Sequence, residues 1–189
     1  MIRAFLALSL PPEVQQRLTV LQHLLPLPSE VDPDGFHLTM VFLGEVPDHV
    51  LHDLHDSLST LRLPPFDLAL SGVGLFGGGK PRAAWAGVAP SEPLLHLQAK
   101  LDRAARMAGA LPDARRFRPH VTLGRFAPPL PEDRLRLERA IVAQSGFTAG
   151  PFTVSQVTLY RSHLTRAASV YDVLATYPQD AVPRDGRQG

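Results

Sequence analysis

FHLTMVFLGEV at residues 36–46 and FRPHVTLGRF at residues 117–126 share a short motif, in which one apolar residue separates a histidine from a threonine. Side chains two positions apart lie on the same face of a strand, so each motif presents an imidazole and a hydroxyl together. Four apolar residues alternate along the first stretch, which predicts a strand that buries Phe36, Leu38, Met40 and Phe42.

The elements around the two motifs repeat. His37 and His120 each begin a predicted succession of strand, helix, strand and strand, and an apolar helix precedes each succession. We expect strands at 2–8, 36–43, 66–76, 82–88, 118–126, 152–161 and 169–177, and helices at about 11–25, 47–61, 94–108 and 131–143. This pattern predicts a duplicated α+β fold whose two halves, related by a pseudo-twofold axis, enclose a groove for a ligand.

Length and composition place the chain among ordinary globular proteins. It has 189 residues, 44% of them hydrophobic, and no cysteine, which excludes disulfide scaffolds and thiolate chemistry. The opening MIRAFLALSLPPEV has an apolar run too short for a membrane span and is a poor signal peptide. We therefore expect a cytoplasmic protein with no membrane contact, in which residues 1–177 form one domain and residues 178–189 a flexible tail.

The net charge of +1 conceals an uneven distribution. Residues 1–94 hold five Lys or Arg against ten Asp or Glu, whereas residues 95–189 hold fourteen against eight. A basic half is typical of proteins that contact a polyanion such as RNA. Two solvent-exposed surfaces with different charged residues and no binding role would give the same charge distribution.

The paired motifs suit displacement at phosphorus. A shuffled chain of this composition would contain roughly 0.4 copies of His-x-Thr, so two copies at equivalent points of a repeat are unusual. One imidazole can give a proton while the other takes one, since the unperturbed pKa of histidine lies near neutrality. Hydroxyl groups can bind the non-bridging oxygens, and the chemistry requires neither a metal nor a cofactor.

The sequence resembles the 2H phosphoesterases, and within them the RNA 2′,3′-cyclic phosphodiesterases, also called 2′-5′ RNA ligases. The two motif stretches carry this resemblance, together with GVGLFGGGKPRAAWAGV at 72–88 and LYRSHLTRAASVYDVLATYP at 159–178. One departure concerns VDPDG at 31–35, which lacks the Trp and Asn often found before the first motif in that family.

The resemblance implies both a fold and a reaction. The fold is bilobal, with two antiparallel sheets that face a central groove and helices on the outside. The reaction is hydrolysis of a terminal 2′,3′-cyclic phosphate of RNA, for example on tRNA fragments, to a 2′-phosphate, with 2′-5′ ligation as its reverse type. By resemblance His37 is the proton donor and His120 the proton acceptor, while Thr39, Thr122 and Arg125 bind the substrate. The protein is expected to act as a monomer.

Other residues have weaker signals. Arg118 shares the alternation of His120, but Pro119 disturbs regular strand geometry. Arg115 and Arg116 suggest a general RNA-attracting patch. Phe76 and Trp85 either stack a base or form the core or groove wall.

Two other functions compete with a metal-independent esterase. His49, His52 and His55 recur every third residue on a predicted helix, but a six-residue step turns through about 600°, so His55 points away from His49 and a metal hydrolase is disfavoured. A non-catalytic RNA-binding module would use the basic half and the aromatic residues. Such a module would not need a duplicated His-x-Thr motif.

Overall fold

The computed structural model describes residues 1–164 and 169–178. In this part of the chain eight strands occur: β1 (Ile2–Ser9), β2 (His37–Val46), β3 (Phe66–Phe76), β4 (Ala83–Val88), β5 (His120–Arg125), β6 (Thr148–Val154), β7 (Val157–Leu164) and β8 (Ser169–Tyr177). Four α-helices accompany them: α1 (Pro12–Leu24), α2 (Asp48–Ser59), α3 (Glu92–Met107) and α4 (Pro131–Ala143). The predicted tail, apart from residue 178, lies outside the described residues.

The strands form one antiparallel sheet in the order β6-β3-β4-β5-β2-β1-β7-β8. The α+β class and the antiparallel pairing agree with the prediction, but the two expected sheets are a single one. The pairing of β2 with β5 at Leu38 and Val121 joins the four-stranded halves. Both side chains are fully buried, so the two motif strands must approach closely to share one core.

The sheet is strongly bent. Three residue steps from Val154 to Val157 span at most about 11 Å. Five strands lie between β6 and β7, so in a flat sheet six interstrand spacings would separate these two strands by about 29 Å. The single strand predicted at 152–161 is therefore wrong, because β6 and β7 lie in different halves of the sheet and the chain changes partner between them.

The helices cover one face of the sheet. The four predicted helices are confirmed, and α1, α2 and α3 bring Leu18, Leu54 and Leu101 to the core that contains Leu38 and Val121. Because side chains alternate along a strand, the histidine and threonine of each motif lie on the opposite face. None of the described helices is long and apolar enough to cross a membrane.

A bulge changes the facing of side chains along β2. Thr39 pairs with Ala7 and Val41 with Leu6, which leaves Met40 as an extra residue in the ladder. Beyond this point Val41 is buried and Phe42 is 40% exposed. The predicted strict alternation therefore holds for Phe36, Leu38 and Met40 but is wrong for Phe42, which contacts the Arg3 guanidinium instead.

The segment between α1 and β2 fills the edge of β5 that β2 leaves free. Val31 N–H donates to the Leu123 carbonyl, and the buried Gln22 side chain donates to the carbonyls of both Val31 and Leu123 at 2.7 and 2.8 Å. At Gly124 a Cβ would lie 2.4 Å from the Ser29 carbonyl oxygen, so this close approach requires glycine. These contacts fix the segment that leads to the first motif onto the strand that carries the second.

Replacement of Gln22 by Leu should lower the free energy of unfolding by about 1–3 kcal/mol, because the Val31 carbonyl loses its buried donor. Urea denaturation followed by circular dichroism measures the change. Gln16 of the same helix is exposed, and Gln16→Leu should change stability by less than about 0.5 kcal/mol. Equal effects of the two substitutions would contradict the role given to Gln22.

Candidate active site

The pairing of Leu38 with Val121 brings the two motifs together. In an antiparallel register this pair places His37 opposite Thr122 and Thr39 opposite His120, all on the face away from the core. His37 and His120 are then diagonal neighbours, and such residues are typically about 7–8 Å apart in an antiparallel sheet. All four side chains are partly exposed, so they line a surface that a ligand can reach.

The same main-chain contact orients both imidazoles. His37 Nδ1 lies 2.7 Å from the Gly35 carbonyl oxygen, and His120 Nδ1 lies 2.7 Å from the Arg118 carbonyl oxygen. A carbonyl can only accept, so Nδ1 carries the hydrogen in each ring. Each Nε2 is left to take a proton when the ring is neutral and to give one when it is charged.

The surroundings favour the neutral form of both rings. Burial is the main cause that lowers the pKa of His37, and the nearby charges of Arg125 and His120 lower it further against the opposing hydrogen bond to Gly35. Burial likewise lowers the pKa of His120, and Arg125 adds to the effect. Arg125 therefore acts electrostatically on both imidazoles, although it lies five residues beyond His120 at the end of β5.

Aromatic side chains enclose the two imidazoles unequally. The ring of His37 lies 4.8 Å from Phe5 and meets Tyr171 edge-on at 5.1 Å, and Tyr160 is 6.2 Å away. Among the described residues, His120 contacts one aromatic ring, that of Phe76, with the ring centroids 4.9 Å apart. His37 is thus the more enclosed of the two, and the halves of the site are not chemically equivalent.

Phe76 and Trp85 form a wall of the site. The Trp85 indole lies against Gly74 of β3, where a Cβ would come within 2.3 Å of the ring, and its centroid is 5.4 Å from that of Phe76. The indole N–H is buried without a hydrogen-bond partner in the described part of the molecule. Phe76 therefore lines the groove beside His120, with Trp85 packed against it. Stacking of a base on either ring stays a prediction.

Several candidates lie elsewhere. The side chain of Arg118 is exposed, and it is its carbonyl that contacts His120. Arg115 is paired with Asp113 at 2.7 Å, which offsets its charge. On α2, His55 Nδ1 contacts the hydroxyl of Tyr177 at 2.7 Å. Residues 1–164 and 169–178 contain no group of three or more His, Asp or Glu arranged to hold a metal ion.

Phe5, Tyr160 and Tyr171 belong to the site, although no local sequence pattern marks them as functional. They come from β1, β7 and β8, which lie side by side next to β2 in the sheet. Tyr160 also shares a 2.9 Å hydrogen bond with the hydroxyl of Ser9. Both tyrosines fall within the stretch 159–178 that carries part of the resemblance, but only the strand order shows which histidine they surround.

Comparison with known proteins identifies the family. The family model of the 2′-5′ RNA ligase superfamily matches residues 10–166. The chain belongs to this superfamily. The RNA 2′,3′-cyclic phosphodiesterase of Methanothermobacter thermautotrophicus is 32% identical over 177 residues, which cover 90% of this chain and 95% of the relative. The enzyme of the same name from Geobacillus stearothermophilus is 31% identical over 98% of this chain, which spans 59% of that relative's length.

A solved structure supports the same relationship. Escherichia coli LigT, crystallised with 3′-AMP, superimposes with a TM-score of 0.75 at 27% identity and covers 93% of this chain and 97% of its own. The likeness extends over most of the sheet and helices described above. The mixed α+β architecture is thus shared with this superfamily member.

The lowered pKa values predict how the histidines titrate. In NMR titrations the ring protons of His37 and His120 should show midpoints below 6.5, because burial disfavours the charged rings. The unfolded chain then binds more protons than the native one between each native midpoint and 6.5, so stability rises with pH in that window and falls as the pH drops through it.

The His37→Asn variant provides the control for that measurement. Between pH 7.5 and pH 5 it should lose less stability than the unmodified protein, as followed by urea denaturation. A midpoint of either histidine at or above 6.5 would show that burial does not govern its protonation.

Proposed function

We propose that this protein hydrolyses terminal 2′,3′-cyclic phosphates of RNA to 2′-phosphates by paired-histidine acid–base catalysis, with residues 1–177 acting as one catalytic domain. The observation that carries the proposal is the pair of imidazoles, each with Nδ1 directed to a main-chain carbonyl and Nε2 available, on diagonal positions across the junction of β2 and β5. The membership of the superfamily and the names of the relatives support a phosphodiesterase that acts on RNA.

In the proposed reaction a water molecule attacks phosphorus and the bond from phosphorus to the 3′ oxygen breaks. His120 accepts the proton of the water at Nε2, and His37 donates a proton from its Nε2 to the departing 3′ oxygen. The products are a 2′-phosphate and a free 3′-hydroxyl, and exchange of one proton with solvent restores both rings. No oxidant, reductant or activated intermediate is needed.

The remaining residues stabilise the charge on phosphorus. The hydroxyls of Thr39 and Thr122 lie on the same face as the imidazoles and are placed to donate to the non-bridging oxygens. Arg125 supplies positive charge from the end of β5, in agreement with its effect on both histidines. A negatively charged substrate in turn offsets the repulsion between Arg125 and a protonated imidazole.

The same arrangement supports 2′-5′ ligation. If the 5′-hydroxyl of a second RNA replaces water, His120 accepts the hydroxyl proton and the phosphorus becomes linked to the 2′ and 5′ oxygens. The geometry at phosphorus and the role of His37 stay the same. RNA ends such as those of tRNA fragments are the proposed substrates, and the protein is proposed to act as a monomer.

Loss of either imidazole should remove most of the activity. We expect His37→Ala and His120→Ala each to lower kcat about 10²–10⁴-fold, since each removes a proton-transfer step. The assay uses uridine 2′,3′-cyclic phosphate in the presence of EDTA and identifies the product by chromatography against 2′- and 3′-phosphate standards.

The alternatives give different results in that assay. A 2′-phosphate formed in EDTA supports the proposal. A 3′-phosphate, loss of activity in EDTA that zinc restores, or near-normal turnover by either folded variant would contradict it. RNA binding without turnover would instead favour the binding module.

The pH dependence should distinguish donor from acceptor. For the unmodified protein kcat/KM should be bell-shaped with its maximum below pH 6.5, because one histidine must be charged and the other neutral while both pKa values are lowered. The residual activity of His120→Ala should only fall as pH rises, since the remaining donor loses its proton. That of His37→Ala should only rise; the opposite slopes would exchange the two roles.

A further inference from the structure

A basic pocket lies beyond the proposed catalytic groove. Three cationic side chains line it, Lys80, Arg82 and Arg134, and Gly79 and four prolines complete its wall. Its volume is about 350 Å³. None of these lining residues is acidic, and the carboxylates of the first turn of α4, Glu132 and Asp133, are not among them. The pocket therefore has a positive potential, which attracts an anion.

The pocket is held in a defined shape. Gly77 has φ of 112°, and a Cβ there would lie 2.4 Å from the Lys80 carbonyl oxygen, so the turn before Lys80 requires glycine. Arg134 Nη1 donates to the Gly79 carbonyl at 2.9 Å and ties the turn to α4. The prolines in the wall have restricted backbones. A ligand would bind with little loss of conformational freedom in the protein.

The cationic side chains of the pocket form few hydrogen bonds or ion pairs with the described residues. Lys80 and Arg82 have no side-chain hydrogen bond or ion pair with any of the described residues. Arg134 Nε is buried without a hydrogen bond, and its ion pair with Glu138 is 3.6 Å long. These groups can therefore form new bonds to an anion without breaking strong ones.

The pocket is connected to the catalytic groove through the main chain. Arg82 N–H donates to the Phe76 carbonyl at 2.8 Å, and the ring of Phe76 contacts His120. On the other side the Arg82 carbonyl accepts from Phe126 N–H at 2.9 Å, directly after Arg125. Arg125 pairs with Ala83, the residue after Arg82, and lies five residues beyond His120 along β5, so the pocket is at the opposite end of β5 from His120.

The other half of the sheet offers a useful comparison. A cavity of about 310 Å³ lies at the start of β1, which flanks β2 as β4 flanks β5. Its lining includes Arg3 and Arg161 but also Glu45, and His163 is paired with Asp172 at 2.6 Å. Charges in this cavity are mixed. Of these two cavities, the pocket on the side of β5 is the one whose lining contains no carboxylate.

We infer that the basic pocket of Lys80, Arg82 and Arg134 binds an internal phosphate of the RNA chain whose cyclic phosphate end occupies the site between His37 and His120. This inference rests on the proposed function and specifies where the RNA chain lies on the protein surface. The RNA runs from the histidines past Phe76 and Arg125 to the start of β4. Substrates long enough to reach the pocket should therefore be preferred over a single nucleotide.

The test compares two substrates. Lys80→Gln combined with Arg82→Gln should lower kcat/KM about tenfold for a uridine decamer that ends in a 2′,3′-cyclic phosphate, because two contacts to phosphate are lost. For uridine 2′,3′-cyclic phosphate the change should be less than about twofold. The salt dependence of decamer binding should become shallower by about 1.4 in the slope of log K against log salt.

A matched control separates this local effect from a general loss of charge. Lys100→Gln combined with Arg103→Gln removes the same charge from exposed positions on α3 and should leave the decamer reaction within about twofold. An equal loss in this control, or an equal loss for both substrates in the pocket variant, would overturn the inference.

Binding gives a result that does not depend on turnover. The affinity for a labelled uridine decamer that ends in a 2′-phosphate, measured by fluorescence anisotropy, should fall about tenfold in the pocket variant and stay unchanged in the control. Unchanged affinity in the pocket variant would overturn the inference even if the cyclic phosphate is hydrolysed. Absence of turnover of both substrates by the unmodified protein would contradict the proposed function instead, while this binding result would still decide the pocket.

Discussion

The contact between Leu38 and Val121 at the centre of the sheet is the constraint on which the rest of the site depends. These residues are fully buried and form the described pairing between β2 and β5. Their burial in a shared core forces the flanking histidines and threonines to the opposite face and sets their separation. A slip of one residue in either strand would turn its histidine into the core, so burial of the apolar residue specifies the position of the histidine.

The two halves of the site share their orientation but differ in environment. A carbonyl two residues earlier sets the same tautomer in His37 and His120. Around His37 lie rings from three neighbouring strands, whereas His120 is contacted by the ring of Phe76. A repeated motif can thus supply two imidazoles of equal geometry and unequal surroundings, which is what a reaction with one proton donor and one acceptor requires.

Positive charge is also distributed unequally between the two halves of the sheet. Arg125 lies near both histidines, and the basic pocket continues the positive charge toward the start of β4. At the equivalent end of the other half, Glu45 offsets only part of the positive charge of Arg3 and Arg161. Lys80 and Arg82 come from the first half of the sequence, which has an excess of acidic residues, whereas Arg125 and Arg134 come from the basic half. The fold thus collects cations from both halves on one side of the sheet.

Local pattern in the sequence is sufficient for much of this protein. The apolar faces of the first three helices follow from a 3.6-residue period, and most strands follow from alternation and length. The two His-x-Thr motifs are recognisable because the residues of each motif are neighbours in the chain. Together with their flanking stretches, these motifs indicate the family from the amino-acid sequence alone.

What local pattern could not determine depends on contacts between distant segments. The single sheet arises from one pair of residues on β2 and β5, and the bulge at Met40, which exposes Phe42, arises from the register with β1. The tyrosines beside His37 come from strands near the end of the chain, so only strand order shows that they share a site. The periodicity of apolar residues predicts which side chains are buried. Which strands pair, and in which register, depends on residues far apart in the sequence, because the pairing must let their apolar side chains pack closely in one core.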